Sequence, residues 1–206
     1  MASDVIICNA ALQLIKHSKQ ITSLEQGIKE ANACEVIFVE LRDTLLASHN
    51  WNFAEVRAEL TSDPDNVPAF EWDYFYEFPG DFLRLHQAFD NDAGRGTFQH
   101  RIEGHGIVTD ATNVYIKYIR RVTDPNIMPP PFRVALSKLI ASRLAVALSQ
   151  SASRSDSLYK QYIDEDLPTA KSSDSIQDQV DDLPASSWET ARYGGGLNRD
   201  LRLSTD

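Results

Sequence analysis

The hydrophobic period of this chain changes at Trp51, and no single element can continue through that point. Before Trp51, apolar residues recur every three or four positions, which is the spacing of one face of an α-helix. The pattern predicts a first helix capped by Ser3 and a second helix from about Ile28 to Ser48. Charged side chains such as Glu30 and Arg42 are expected on the outer face of the second helix.

From Trp51 to about residue 124 the apolar residues mostly alternate, which is typical of β-strands. The segment WNFAEVRAEL suits a strand with a bulge that contains Trp51 and Phe53. The segment DNDAGRG (90–96) is typical of a hairpin tip. The remaining strand segments, which would complete one small antiparallel sheet, are EWDYFYEF, FLRLHQAF, FQHRIEG, GIVT and NVYIKYI.

Helical periodicity returns after the Pro-rich segment TDPNIMPPPF, with helices expected at about 131–150 and 154–176. Pro168 would kink or end the last helix, because proline lacks an N–H group and crowds the preceding turn. The predicted fold is therefore α+β. It comprises an antiparallel bundle of about four helices (1–50 and 125–178), an inserted small antiparallel β-sheet (51–124) and an extended C-terminal arm (179–206).

The acidic composition excludes some classes of protein. The 206 residues carry a net charge of −10, whereas gripping nucleic acid requires a surface rich in Lys and Arg. DNA could still pass such a surface without binding to it. No apolar run approaches the ~20 residues that span a bilayer, and the N-terminal sequence lacks the features of a signal peptide. We expect a protein made in the cytoplasm, with Cys8 and Cys34 as buried, reduced thiols.

The titratable residues give no pattern specific for catalysis, a metal or a cofactor, and we predict none of these. His100 and His105 resemble a metal-ligand pair, but Gly104 and Gly106 exclude the helix that such a pair needs. A solvent-exposed hairpin is expected there instead. His49, at a helix end, is expected to cap the last carbonyl groups of that helix.

Two pairs of carboxylates leave one enzymatic alternative open. Glycosidases use two carboxyl groups roughly 5 to 9.5 Å apart. Glu25 with Glu30, or Asp73 with Glu77, could form such a pair. Because the chain contains 30 acidic residues, such pairs also arise by chance on solvated faces.

The C-terminal segment combines an acidic linker with anchor-type side chains. Between residues 164 and 184, seven Asp or Glu residues accompany one Lys. A disordered linker normally needs no aromatic residue, yet Trp188 and Tyr193 follow it. Side chains of this kind are typical of a segment that becomes ordered on a partner. A tail that folds back on its own domain is the alternative.

An ordered series of motifs spans most of the chain: ICNAALQLI, ITSLEQGIKEANAC, FVELRDTLLASHNWNFA, YEFPGDFLRL, EGHGIVTD, VYIKYIRRVTDP and ALSKLIASRLAVAL. In order and spacing this series resembles the head-to-tail adaptor proteins of tailed bacteriophages, called tail tubular protein A in short-tailed phages. Two features depart from the family. Lys16 stands where the first helix often ends in glycine, and NIMPPPF is unusually rich in proline.

The resemblance implies a structural virion protein in the neck between head and tail. A homo-oligomeric ring, dodecameric in the family, would lie under the portal protein and extend the DNA channel. The ring would dock the tail nozzle or a tail-completion protein, with tail fibres as a further candidate partner. Genomic DNA would pass through the lumen without specific binding, and no membrane is involved. The alternative is a tail accessory protein with carboxylate-based peptidoglycan hydrolase activity.

The resemblance also assigns roles to parts of the fold. The helical part would form the ring, with Arg42 and Asp43 between subunits, and the C-terminal arm would reach the portal. The portal-binding residues expected in the arm are Trp188, Arg192, Tyr193, Leu197, Arg199 and Leu201.

Two further sites follow for the sheet. Its hairpin at Gly94, Arg95 and Gly96 would face the tail. A structural corner, formed by His49, Trp51 and Phe53, would pin the sheet onto the helices.

Overall fold

A computed structural model describes residues 2–177 and has the α+β architecture predicted from the sequence. The helices are α1 (Asp4–Leu14), α2 (Lys29–Ala47), α3 (Pro130–Ser149), α4 (Ala152–Gln161) and α5 (Leu167–Ser175), with a π-helical turn at Tyr162–Asp166. The strands are β1 (Glu55–Leu60), β2 (Tyr74–Glu77), β3 (Phe82–Phe89), β4 (Arg101–Glu103), β5 (Gly106–Thr109) and β6 (Val114–Arg120). The predicted arm, 179–206, lies outside the described residues.

Helix α3 is the centre of the helical body. It packs against α1, α2, α4 and α5, and these contacts bury most of its residues between Phe132 and Ala145. Even Ser137 and Ser142 are buried in it, and their hydroxyls donate to the carbonyls of Val134 and Leu139 at 2.8 and 2.7 Å. These bonds satisfy polar groups that burial would otherwise leave unpaired.

The interruption predicted at Pro168 takes the form of a π-helical turn just before it. The Leu167 N–H donates to the Tyr162 carbonyl, one residue further back than in an α-helix. A proline lacks the N–H and crowds the carbonyl four residues earlier. The wider turn accommodates that crowding, so α4 and α5 follow one another directly, with Pro168 in the first turn of α5.

The strands form two three-stranded antiparallel sheets, so the prediction of a single sheet is wrong. The strand orders are β1-β6-β3 and β2-β5-β4. Side chains from both sheets pack into a core of their own, made of Leu60, Tyr76, Phe78, Ile107, Val114, Ile116 and Tyr118. Ile119, also on β6, belongs instead to the core of the helical body. Strand β6 therefore contributes to both cores and positions the sheets against the helices.

Residues 90–96 link the two sheets and are not a hairpin tip. Strand β3 pairs with β6, whereas β4 pairs with β5, so the strands on either side of the segment are not partners. Gly94 and Gly96 do have positive φ angles of 63° and 94°, as the turn chemistry indicates. The hairpin prediction is wrong because turn residues specify local backbone geometry and not strand pairing. The hairpin of this region is β4–β5, which turns at Gly104 with a φ of 58°.

Candidate functional site: interaction surfaces

The corner after α2 is a closely packed joint centred on Trp51. This side chain is 1% exposed, and its indole N–H donates to the Leu45 carbonyl at 2.9 Å. Its ring meets the Phe132 ring edge-on with centroids 5.0 Å apart, and Phe53 contacts Phe132 at the same distance. Trp51 and Phe53 thus connect the end of α2 to the central helix α3.

The alternation predicted that Trp51 and Phe53 lie in a strand, but both lie in the turn that precedes β1. The N–H groups of Ala54 and Glu55 both donate to the Trp51 carbonyl at 2.9 Å, and β1 begins only at Glu55. Two aromatic residues two positions apart fit a strand and a tight turn equally well. Periodicity over so few residues cannot separate the two.

A buried carboxylate joins this corner to α5. Asp174, 4% exposed, accepts hydrogen bonds from the Asn52 backbone N–H at 3.1 and 3.2 Å. The Asn52 side-chain amide donates to the Asp174 carbonyl at 3.0 Å. The Nε2 atom of His49 lies 4.0 Å from the Asp174 carboxylate. The Leu45 carbonyl, in the last turn of α2, accepts hydrogen bonds from the Ser48 hydroxyl and the Trp51 indole N–H, and capping of the other last carbonyls by His49 stays a prediction.

Arg42 and Asp43 belong to an ion-pair network within one chain. Arg42 is 5% exposed and donates to Oδ1 of Asp43 at 2.9 Å from Nε and 2.8 Å from Nη2. Arg121, which follows β6, donates to Oδ2 of Asp43 at 2.7 Å. The expectation that Arg42 points away from the core is therefore wrong, because the carboxylate compensates its burial. A contact of this network with another subunit stays a prediction, and Arg121 is its exposed member, whereas Asp43 is half-buried.

The acidic residues considered for hydrolysis have other surroundings. Glu30 is buried, contrary to expectation, with His17 Nε2 at 3.6 Å and Lys19 Nζ at 4.0 Å. The other three carboxylates, Glu25, Asp73 and Glu77, are exposed, and Glu77 lies 3.3 Å from His105. His105 therefore has a carboxylate neighbour at the surface.

The described part of the chain contains neither a group of side chains that could hold a metal nor a membrane-spanning helix. Within residues 2–177, no group of three or more His, Cys, Asp or Glu side chains is placed to hold a metal ion. No helix in that range is long and apolar enough to cross a bilayer. Cys8 and Cys34 are both buried. A hydrogen bond between their thiols, with burial adding to it, raises the pKa of Cys8, and the same bond lowers the pKa of Cys34.

The segment expected to face the tail is exposed at Arg95 and Gly96 and borders an open cavity. The Asn91 side chain holds the loop, because it donates to the Arg95 carbonyl at 2.5 Å and accepts from the Arg95 N–H at 3.4 Å. The adjacent cavity of about 450 Å³ is lined in part by Lys117, whose ammonium lies 5.5 Å from the centroid of Phe89. A tail-facing role for Gly94, Arg95 and Gly96 stays a prediction.

Two exposed apolar surfaces on the helical body were missed by sequence reasoning. The first, called the α2 ridge here, consists of Val36 and Val39, which are 76% and 51% exposed. The second is a groove of about 450 Å³ between α1 and α3, whose walls include Ile6 and Val134 at 54% and 52% exposure. The sequence carried a signal for the ridge, since two valines less than one turn apart interrupt an otherwise polar face.

No protein-family model matches this sequence, and no curated protein is significantly similar to it. The residues expected to bind the portal lie outside the described residues; they are Trp188, Arg192, Tyr193, Leu197, Arg199 and Leu201.

Proposed function

We propose that this chain is a structural adaptor that forms a ring between the portal and the tail of a tailed bacteriophage. The first support is the ordered motif series from Ile7 to Leu148, which resembles that family. The observation that carries the proposal is the presence of two different exposed apolar surfaces on one helical body, the α2 ridge and the α1–α3 groove.

Two different apolar surfaces favour a ring over a symmetric dimer. A twofold dimer uses the same patch on both partners, whereas a head-to-tail contact joins one patch to another and closes into a ring when the rotation fits. Isolated exposed apolar residues are ordinary on soluble proteins. Here, however, a convex apolar pair on one helix accompanies a concave apolar groove between two others, and contiguous exposed apolar surfaces mark sites of protein–protein contact.

The charge of the chain suits a channel through which DNA slides. The net charge of −10 would be repeated in every copy of the ring. Phosphate binding depends on neutralisation by Lys and Arg, so an acidic wall repels the DNA backbone and gives it no specific site. In this proposal the ring copy number is that of the family, and the arm (179–206) makes the contact with the portal.

Removal of residues 185–206 tests the proposal. The truncated chain should keep its circular dichroism spectrum and melting temperature, because both described cores lie before the deletion. It should fail to join portal-containing heads in an in vitro attachment assay scored by electron microscopy. Normal attachment by the truncated chain would exclude the role of the arm.

Matched full-length variants separate loss of anchors from loss of length. Trp188→Ala combined with Tyr193→Ala keeps the arm intact and should also abolish attachment. Ser186→Ala combined with Ser187→Ala should attach normally. Micrographs of virions then show directly whether the chain lies in a ring at the neck.

A further inference from the structure

The α2 ridge is an apolar strip with acidic edges. At 3.6 residues per turn, Val36 and Val39 lie side by side on the helix surface, with Glu35 on one flank and Glu40 on the other. All four side chains are exposed. Two valines exposed between carboxylates form a small projecting surface whose apolar centre stays in contact with water.

The α1–α3 groove is the concave counterpart. Small residues, Ala2, Ala10 and Ser137, line it together with the walls formed by Ile6 and Val134. Its volume of about 450 Å³ equals roughly fifteen water molecules at about 30 Å³ each, which leaves room for two valine side chains. Small residues between two helices let another helix approach closely, so that its ridge fits their groove.

The charges at the edges of the two surfaces are opposite. Arg133 lines the groove, whereas Glu35 and Glu40 flank the ridge. Within residues 2–177 none of these three side chains has an ion-pair partner within 4 Å, since the ion pairs there involve other residues. Complementary charges at the rim fix the orientation of two docking partners and disfavour wrong ones.

From this complementarity we infer that the partner of the α1–α3 groove is a second copy of this chain, whose α2 ridge docks in it. Val36 and Val39 of one copy enter between Ile6 and Val134 of the next. The carboxylates beside the ridge then reach Arg133. The contact is head-to-tail, so a pair of copies keeps a free groove on one copy and a free ridge on the other for further neighbours. Its place in a neck ring rests on the proposed function, but the pairing itself requires only two copies of the chain.

Cysteine cross-linking of the full-length chain tests this pairing. Val36→Cys and Val134→Cys are made in separate proteins, mixed at high concentration and oxidised with copper phenanthroline. Val146→Cys replaces Val134→Cys in the control mixture, because Val146 is also on α3 and has a similar exposure of 55%. The native cysteines are both buried with 0% exposure and do not compete. Circular dichroism verifies that each variant is folded.

The yields of cross-linked dimers and multimers test the pairing of the ridge with the groove. The Val36→Cys and Val134→Cys mixture should give about tenfold more mixed dimer than the control, corresponding to about 1.4 kcal/mol of preference. A chain carrying both substitutions should give a ladder of higher multimers, because head-to-tail contacts propagate. Equal dimer yields in the two mixtures would overturn the inference.

Charge reversal supplies a second readout. Arg133→Glu should lower the yield of mixed dimer several-fold, because it sets like charges at the rim. Adding Glu35→Arg and Glu40→Arg to the partner should restore the yield. Absence of rescue, with all variants folded, would contradict the predicted orientation.

The outcomes for the interface and for the function are separable. Rings on phage heads without preferential cross-linking would refute this interface and leave the adaptor function standing. Preferential cross-linking by a chain that never joins heads would refute the function and leave the pairing standing.

Discussion

At the scale of single residues, the burial of Trp51 leads to a prediction about the stability of the fold. Its side chain is 1% exposed, bonded to Leu45 and packed edge-on against Phe132. We expect Trp51→Ala to lower the free energy of unfolding by about 3 to 5 kcal/mol, as large-to-small substitutions in cores do. Urea denaturation followed by circular dichroism measures the change.

Phe70→Ala is the control for that substitution. Phe70 is 80% exposed, so its removal should change stability by no more than about 0.5 kcal/mol. A loss below about 1 kcal/mol for Trp51→Ala would mean that the corner does not hold the sheets to the helices.

Lys16 carries a backbone conformation that suits glycine better. Its φ is 58°, and it ends α1 with bonds from its own N–H to Gln13 and from the His17 N–H to Leu12. This is the helix end at which glycine is usual. The left-handed conformation costs a residue with a Cβ about 1–2 kcal/mol, partly offset by the greater freedom of glycine in the unfolded chain.

We therefore expect Lys16→Gly to stabilise the protein by about 0.5 to 1 kcal/mol, measured by thermal and urea unfolding. Lys19→Gly, three residues on and without a positive φ, should be neutral or destabilising. If both substitutions destabilise equally, the backbone of Lys16 is not strained.

At the scale of elements, α5 depends on a carboxylate that reaches the corner. Asp174→Ala would leave the Asn52 backbone N–H without this acceptor, which costs about 1–3 kcal/mol. We expect faster hydrogen exchange across Leu167–Ser175 and unchanged exchange in α1. Asp174→Asn keeps one oxygen acceptor and should show a smaller effect. Uniform acceleration in both helices would indicate global destabilisation instead.

Strand β6 gives the fold a predictable response to alkaline pH. Burial, followed by the hydrogen bond to Asp81 at 3.0 Å and the charge of that carboxylate, raises the pKa of Tyr118 to about 12. The pKa in the unfolded chain is about 10. Because the folded pKa is higher, the contribution of Tyr118 is complete below pH ~10 and is lost as the pH rises toward 12.

Tyr118→Phe should therefore reduce the loss of stability between pH 9 and 11.5, compared by urea unfolding at each pH. Burial also raises the pKa of Tyr162 to about 12, so some alkaline dependence remains in the variant. Parallel pH profiles for the two proteins would show that Tyr118 does not contribute.

The elements also show how far the sequence predicts the fold. Helices α1, α2 and α3 can be predicted from local apolar spacing, because the buried residues of each helix lie within one continuous segment of the sequence. Strand pairing is not local: β1 lies beside β6, and β3 and β4 belong to different sheets. The alternation of apolar residues within a strand does not identify the strand with which it pairs. The network that contains buried Arg42 is likewise not local, because Asp43 pairs both with its neighbour Arg42 and with Arg121 from a distant segment.

At the scale of the whole molecule, the two cores indicate one folded body, whereas the candidate groove forms only when the helices pack together. The wall residues Ile6 and Val134 are far apart in sequence and form the groove because α1 packs on α3. Helix α2 exposes Val36 and Val39, and within residues 2–177 no other element covers that face. The groove is a property of the assembled helices, and sequence patterns alone do not specify it.

The small size of these surfaces determines when a ring can form. Stable interfaces bury roughly 800 Å² per partner, and two valines between acidic flanks provide only the centre of such an area. We therefore expect the isolated chain to be a monomer at micromolar concentration, measured by sedimentation velocity. Copies aligned on a portal would experience a much higher effective concentration, which lets weak head-to-tail contacts close the ring. Raising the salt concentration should not produce rings, because screening weakens the rim charges. A stable ring of the isolated chain in dilute solution would contradict assembly on a template.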